Sequence, residues 1–144
     1  LERIVVLLGG MAAEKLIIGD VSTGASNDLQ RATSIARSMV TRFGMSDVLG
    51  PIVYDSEDDE VFIGRDMGHV KSYSETTASK IDEEINKIIT HCLSQTEKIL
   101  SENVNKLHEL AKFLIDNEKM NEEQFYNMMN ETGAESVSPD IVED

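Results

Sequence analysis

The stretch Val21-Ser22-Thr23-Gly24-Ala25-Ser26-Asn27-Asp28 sets one carboxylate, that of Asp28, at the mouth of a helix whose later residues are built for burial. Spacing alone gives Asp28 an electrostatic task, favouring the positive end of the helix dipole, because Asp in a first helical turn is commonplace. Gly24 permits a tight backbone approach, and Ser26 or Asn27 is placed to cap the helix start. A second carboxylate, Glu14, lies among Ala12, Ala13, Leu16 and Ile17, where an unpaired charge is expensive. On the residues alone it reads as an exposed Glu on the one polar edge, paired with Lys15 or a neighbouring Arg. No two of His69, His91 and His108 are four residues apart. The sequence therefore has no His-Glu-x-x-His, and it has no Gly-x4-Gly-Lys-Ser/Thr phosphate loop. His69 reads as a surface histidine, while His91 and His108 fall at the polar edges of helices. The lone Cys92 excludes an internal disulfide and fits a reducing compartment. It lies on an apolar stripe and reads as a small buried hydrophobe rather than a reactive thiol.

The elements that must hold these groups are mostly helical. Residues 2–18 form a largely apolar helix ended by Gly19 and Asp20, and Gly9 and Gly10 in its middle leave room for a close neighbour. A second helix over 27–43 carries Leu29, Ala32, Ala36, Met39, Val40 and Phe43 at core-facing spacing and stops at Gly44. Ile52-Val53-Tyr54 and Val61-Phe62-Ile63 read as a small β-hairpin around an acidic turn, with Pro51 at its start. Met67 to Tyr73 reads as a mobile loop. Ser74 or Ser72 opens a long helix with Ala78, Ile81, Ile85, Ile88, Ile89, Cys92, Leu93, Thr96, Ile99 and Leu100 along a near-heptad seam. For a single seam of this length, packing into a bundle is favoured over a free coiled coil. Asn103 caps a further helix with Val104, Leu107, Leu110, Ala111, Leu114 and Ile115. Asn121 and Gln124 make a capping-box pattern for the last one, with Met120 and Phe125 as its hydrophobic staple. Met128 and Met129 read as gap-filling residues. The expected architecture is a mainly α bundle of about five helices with one hairpin.

Composition narrows the function class. At 144 residues and 40% hydrophobic, the chain suits one small domain over 1–130, and no apolar run approaches a membrane span. The net charge of −14 argues against a nucleic-acid surface, which needs a basic face. Part of that charge sits in the turn Asp55 to Glu60 and in the stretch Glu135 to Asp144, both read as solvated. Residues 55–60 lack the Gly and Glu that an EF-hand loop demands. From about Glu131 onward, Ser, Pro and acids predict a disordered acidic tail over 131–144.

Five segments in register carry a family resemblance. They are Gly9-Gly10-Met11-Ala12-Ala13-Glu14, then Val21 to Asp28, then Arg31-Ala32-Thr33, then Met39-Val40-Thr41-Arg42-Phe43-Gly44-Met45-Ser46, then Leu49-Gly50-Pro51. Together they resemble the FtsH family of membrane-anchored, ATP-dependent zinc metalloproteases, and the likeness continues through Val61 to Arg65 and Ile81 to Glu84. Met11 and Lys15 depart from the Arg and Glu common in that family. The resemblance implies that Asp28 is the third zinc ligand, beside two His of a His-Glu-x-x-His helix. A catalytic zinc takes three protein ligands and keeps a fourth position for water, and the Glu of that motif stands where it can take a proton from the water. The resemblance also gives Glu14 a second reading, as an acceptor that orients a zinc-bound His from behind.

Because the His pair, the general base and the ATPase module are absent from these residues, the chain is expected to be the C-terminal portion of a peptidase domain, inactive alone. No catalytic residue is expected within it. The resemblance implies Zn2+ and ATP as cofactors of the whole protein, protein substrates, a homohexameric chamber, and an anchor in the cell's inner membrane with this domain on the cytoplasmic side. The alternative from another class is a non-catalytic helical interaction or oligomerisation module, which acidic, amphipathic helices suit equally well.

Overall fold

The computed structural model describes residues 1–54 and 73–130. The chain divides into two compact units, Leu1–Ser101 and Glu102–Asp144. The first unit holds α1 (Glu2–Ile17), a short 3-10 turn (Thr23–Ala25), α2 (Ser26–Thr41) and nearly all of α3 (Glu75–Glu102). The second holds α4 (Val104–Asn117) and α5 (Glu122–Asn130). The mainly helical expectation holds.

The first unit is organised by four-residue spacing. α1 buries Ile4, Leu8 and Ala12, and α2 buries Ala32, Ala36 and Val40, so each helix commits one stripe to the core. α3 adds Ala78, Ile81, Ile85, Cys92 and Thr96. Its seam is thus spent on a bundle rather than on a free coiled coil over this length. Thr96, a buried hydroxyl on that seam, is satisfied because its Oγ1 lies 2.8 Å from the Cys92 carbonyl and 3.2 Å from that of Val5. Ion pairs at the rim, Lys15–Glu97 at 3.1 Å and Arg37–Asp82 at 3.8 Å, are exposed. Such pairs contribute about 0–1 kcal/mol each. Fully buried side chains such as Ile4, Leu8 and Ile81 are worth about 1.5–3 kcal/mol apiece, so packing decides the fold.

Two residues expected on the α2 stripe are exposed. Phe43 lies beyond the last helical residue, where helical phase no longer directs it inward, and Leu29 sits at the edge of the stripe in the first turn. Gly44, with φ +61°, turns the chain sharply, and Met45 N–H donates back to the Met39 carbonyl at 2.9 Å. A Cβ on Gly44 would stand 2.9 Å from Pro51 Cα.

The segment after that turn departs from the expected hairpin. No strand occurs among the described residues, and Val61 to Ile63 lie outside them. Tyr54 N–H, which a hairpin would pair with the opposite strand, donates instead to the Thr41 carbonyl at the end of α2 (2.8 Å). The Tyr54 ring meets Tyr73 edge-on at 5.7 Å. The Asp55 to Glu60 turn, the Met67 to Ser72 part of the expected loop, His69 and the tail 131–144 also fall outside the described residues.

Ser46 fastens residues 46–49 to α3. Its Oγ accepts from Leu49 N–H (3.1 Å) and donates to Glu84 Oε2 (2.8 Å), while Glu84 Oε1 takes Lys87 Nζ at 2.7 Å. The start of α3 is capped as expected, Ser74 Oγ accepting from Thr77 N–H at 3.3 Å.

In the second unit, Asn103 occupies the N-cap position of α4 but makes no side-chain cap bond. α4 ends on Glu118 in the left-handed conformation (φ 60°), its N–H on the Leu114 carbonyl. The capping box of α5 is present in both directions, with Asn121 N–H on Gln124 Oε1 at 2.9 Å and Gln124 N–H on Asn121 Oδ1 at 2.8 Å. Ile115, Phe125, Tyr126 and Met129 are exposed, so Met129 fills no gap among the described residues.

Two predictions follow from these ties. Gly44→Ala combines a left-handed backbone with a clash against Pro51 and is expected to lower stability by about 1–3 kcal/mol in a denaturant melt. Lys87, then Ser46, hold the Glu84 carboxyl below its ordinary value. The stabilisation this gives is complete above the unfolded pKa near 4.5 and is lost as pH falls through the lower folded value. Denaturation curves across that acid window should be flatter for Glu84→Gln than for the parent chain.

Candidate metal centre

Asp28 is the third residue of α2 and lies half-exposed. It does not cap the helix. The N-cap residue of α2 is Ala25, with no side-chain cap bond, so neither Ser26 nor Asn27 performs the expected role. Capping has moved upstream, where Ser22 Oγ accepts from Gly24 N–H (3.2 Å) and starts the 3-10 turn that runs into α2. Asp28 keeps one ion pair on its own helix, Arg31 Nη1 to Oδ1 at 3.7 Å, with both side chains about half exposed. Its oxygens therefore remain available. A shallow depression runs along α2 from Ser26 to Arg37, and Asp28 is not among the residues lining it.

Glu14 stands in the last turn of α1, where the helix dipole disfavours a negative charge. Its carboxylate is fully engaged at close range. Ser22 N–H donates to Oε2 at 2.8 Å and Ser22 Oγ donates to Oε1 at 2.9 Å. Lys15, the partner expected from sequence, reaches across to Glu97 instead. The carboxylate thus binds the loop that leads to Asp28, through a partner, Ser22, that the sequence did not reveal. A Ser two residues before Gly24 signals a local cap, but nothing in the sequence marks its partner eight residues upstream.

His91 on α3 is exposed, as is His108 on α4, in keeping with polar edges. Among the described residues, no group of three His, Cys, Asp or Glu side chains could hold a metal ion. Gly9 and Gly10 do not admit a neighbouring helix among the described residues, since a Cβ at either would meet nothing within 4 Å. Asp28 offers a metal a hard oxygen donor with only a solvent-exposed ion pair to Arg31, which fits a single ligand position of a site completed by other residues.

The site thus defined is a single half-exposed carboxylate in the first turn of a helix on a helical scaffold. The family model of peptidase family M41 matches residues 1–128, and the chain belongs to that family. Similar curated proteins include "ATP-dependent zinc metalloprotease FtsH 1" of Thermoanaerobacter sp. (strain X514), 49% identical over 137 residues, covering 95% of this chain and 22% of that protein. The "ATP-dependent zinc metalloprotease FtsH" of Bacillus subtilis (strain 168) is 47% identical over 131 residues, covering 90% of this chain and 21% of its own length. That of Thermotoga maritima is 40% identical over 131 residues, with 91% and 22% covered. The chain therefore spans about a fifth of the length of these relatives.

Cys92 adds nothing to the metal chemistry. It is fully buried in the core, and burial pushes its thiol pKa up. Labelling by a disulfide reagent at neutral pH should be very slow in the folded chain and rapid in denaturant; fast labelling under native conditions would show that the α1–α3 packing opens.

Proposed function

We propose that this chain is the C-terminal portion, over residues 1–130, of the peptidase domain of an ATP-dependent zinc metalloprotease, with the acidic residues 131–144 outside that portion. Asp28 is the third protein ligand of the zinc, and Glu14 stands among the groups behind the ligands. The observation that carries this is the pairing of a half-exposed Asp28 carboxylate, held only by an exposed ion pair to Arg31, with membership of peptidase family M41.

Asp28 acts by binding, as an ionised carboxylate, and it moves no proton. The 3-10 turn and the first turn of α2 fix where its oxygens stand, and Arg31 on the same face lies 3.7 Å from one of them. A zinc ion held there would polarise a scissile carbonyl and lower the pKa of water towards about 7. The two remaining ligands and the general base come from a His-Glu-x-x-His helix outside this chain, so residues 1–144 alone do not cleave peptides. The whole protein would use ATP to unfold membrane and cytoplasmic proteins and cut them inside a homohexameric chamber. It would be anchored in the inner membrane with this domain on the cytoplasmic side. No described helix is long and apolar enough to cross a membrane.

Asp28→Asn in the intact protein keeps the shape and removes the charge. Metal analysis of the purified variant should show zinc lost and proteolysis abolished, while circular dichroism stays as in the parent. Full zinc occupancy in that variant would falsify the assignment.

A further inference from the structure

We propose that Glu14 is a positioning residue for Asp28 and acts through Ser22, by clasping the loop that delivers Asp28 to the metal. The inference rests on the reading of Asp28 as a zinc ligand and names the device that sets its position.

Three observations carry it. First, both oxygens of Glu14 bind the same residue, Ser22, one through its backbone N–H and one through its hydroxyl. Paired charge-assisted bonds of this kind fix orientation as well as distance. Secondly, the Ser22 hydroxyl is a relay, accepting from Gly24 N–H while donating to Glu14. Bonds in such a chain polarise one another, so the carboxylate stiffens the cap as well as the loop. Thirdly, the cap leads straight into the ligand. Ser22 starts the 3-10 turn Thr23–Ala25, α2 begins at Ser26, and Asp28 follows two residues later. Each bond is a short lever on the carboxylate.

The surroundings make the clasp necessary. Ile18 and Val21 are exposed, so apolar burial does not hold the loop leaving α1. Gly19, at φ +79°, gives that loop a sharp reversal. Gly24 belongs to the same device, because a Cβ there would press on Ser22 Oγ at 3.2 Å, the atom at the centre of the relay. Among the described residues, the α1 side chain that tethers the loop by hydrogen bonds is Glu14.

The route through Ser22 differs from a direct bond between Glu14 and a zinc-bound His, and the two are separable. Glu14→Ala, Glu14→Gln, Ser22→Ala and the double Ala variant are made in the intact protein. Zinc affinity is read by chelator competition, and amide exchange is read over residues 19–27. Through Ser22, both single Ala variants weaken zinc about 10–100-fold. The double variant is then no worse than the weaker single, as for two partners of one contact. Glu14→Gln recovers part of the affinity, since its amide still accepts from Ser22 N–H and donates to Ser22 Oγ. Exchange rises in residues 19–27 and stays unchanged over 32–40.

If Ser22→Ala leaves zinc affinity intact while Glu14→Ala lowers it, Glu14 acts on another ligand and the proposal is overturned. Additive losses, or unchanged exchange over 19–27 in Glu14→Ala, overturn it too. Asp28→Asn is run alongside. Loss of zinc there with a silent Ser22→Ala is a failure of the clasp alone, whereas zinc retained there is a failure of the ligand assignment and of the clasp with it.

Discussion

Close packing of α2 against the core is the constraint on which the first unit depends. The stripe of α2 is made of small residues, Ala32 and Ala36, followed by Val40, all fully buried. Small side chains let a helix axis approach its neighbours, and the bulk needed to fill the interior is supplied by Ile4 and Leu8 of α1 and Ile81 and Ile85 of α3. Interiors packed to this density resist translation of one helix past another. α2 therefore has a fixed height and phase, and everything mounted on its ends, Asp28 at one and the Gly44 turn at the other, inherits that precision.

The loops at the two ends of α2 are handled by one device used twice. A glycine in the left-handed conformation, Gly19 or Gly44, reverses the chain as it leaves a helix. A serine a few residues later then donates its hydroxyl to a helical glutamate, on the helix just left in one case and on α3 in the other, while accepting a backbone N–H further on. Ser22 does so between Glu14 and Gly24, and Ser46 between Glu84 and Leu49. The second clasp has Lys87 to balance the charge, and Leu49 beside it is buried in the core. Among the described residues the first has neither, and takes the Ser22 backbone N–H as its extra donor. The loop nearer the candidate metal ligand is thus held by hydrogen bonds where the other is also held by packing.

In a chain carrying 27 acidic and 13 basic residues, carboxylates must be managed rather than merely paired. Cations are scarce and are spent at the rim, Lys15 on Glu97 and Arg37 on Asp82. Ser hydroxyls bind both carboxylates that organise loops, joined by a backbone N–H at Glu14 and by Lys87 at Glu84. That leaves Asp28 with a weak, solvent-screened partner in Arg31, the condition under which a carboxylate can exchange its neighbour for a metal.

The sequence by itself determined the helices, the buried stripes on them and the identity of the candidate ligand. Periodicity is a local property, so Ala32-Ala36-Val40 and the α3 seam were legible, as was the capping box at Asn121 and Gln124. The Gly-Ala-Ser-Asn-Asp segment and its companions in register pointed to the family that residues 1–128 match. Non-local partners were not legible. That Tyr54 would give its N–H to Thr41 rather than to a strand, that Lys15 would choose Glu97, and that Glu14 would grip Ser22 all depend on where helices lie once packed. A sequence states which groups need partners, because burial and charge make the unpaired state costly. Which partner each one finds is decided by the tertiary structure, since only the packed backbone brings donors and acceptors distant in sequence to within three ångströms of each other.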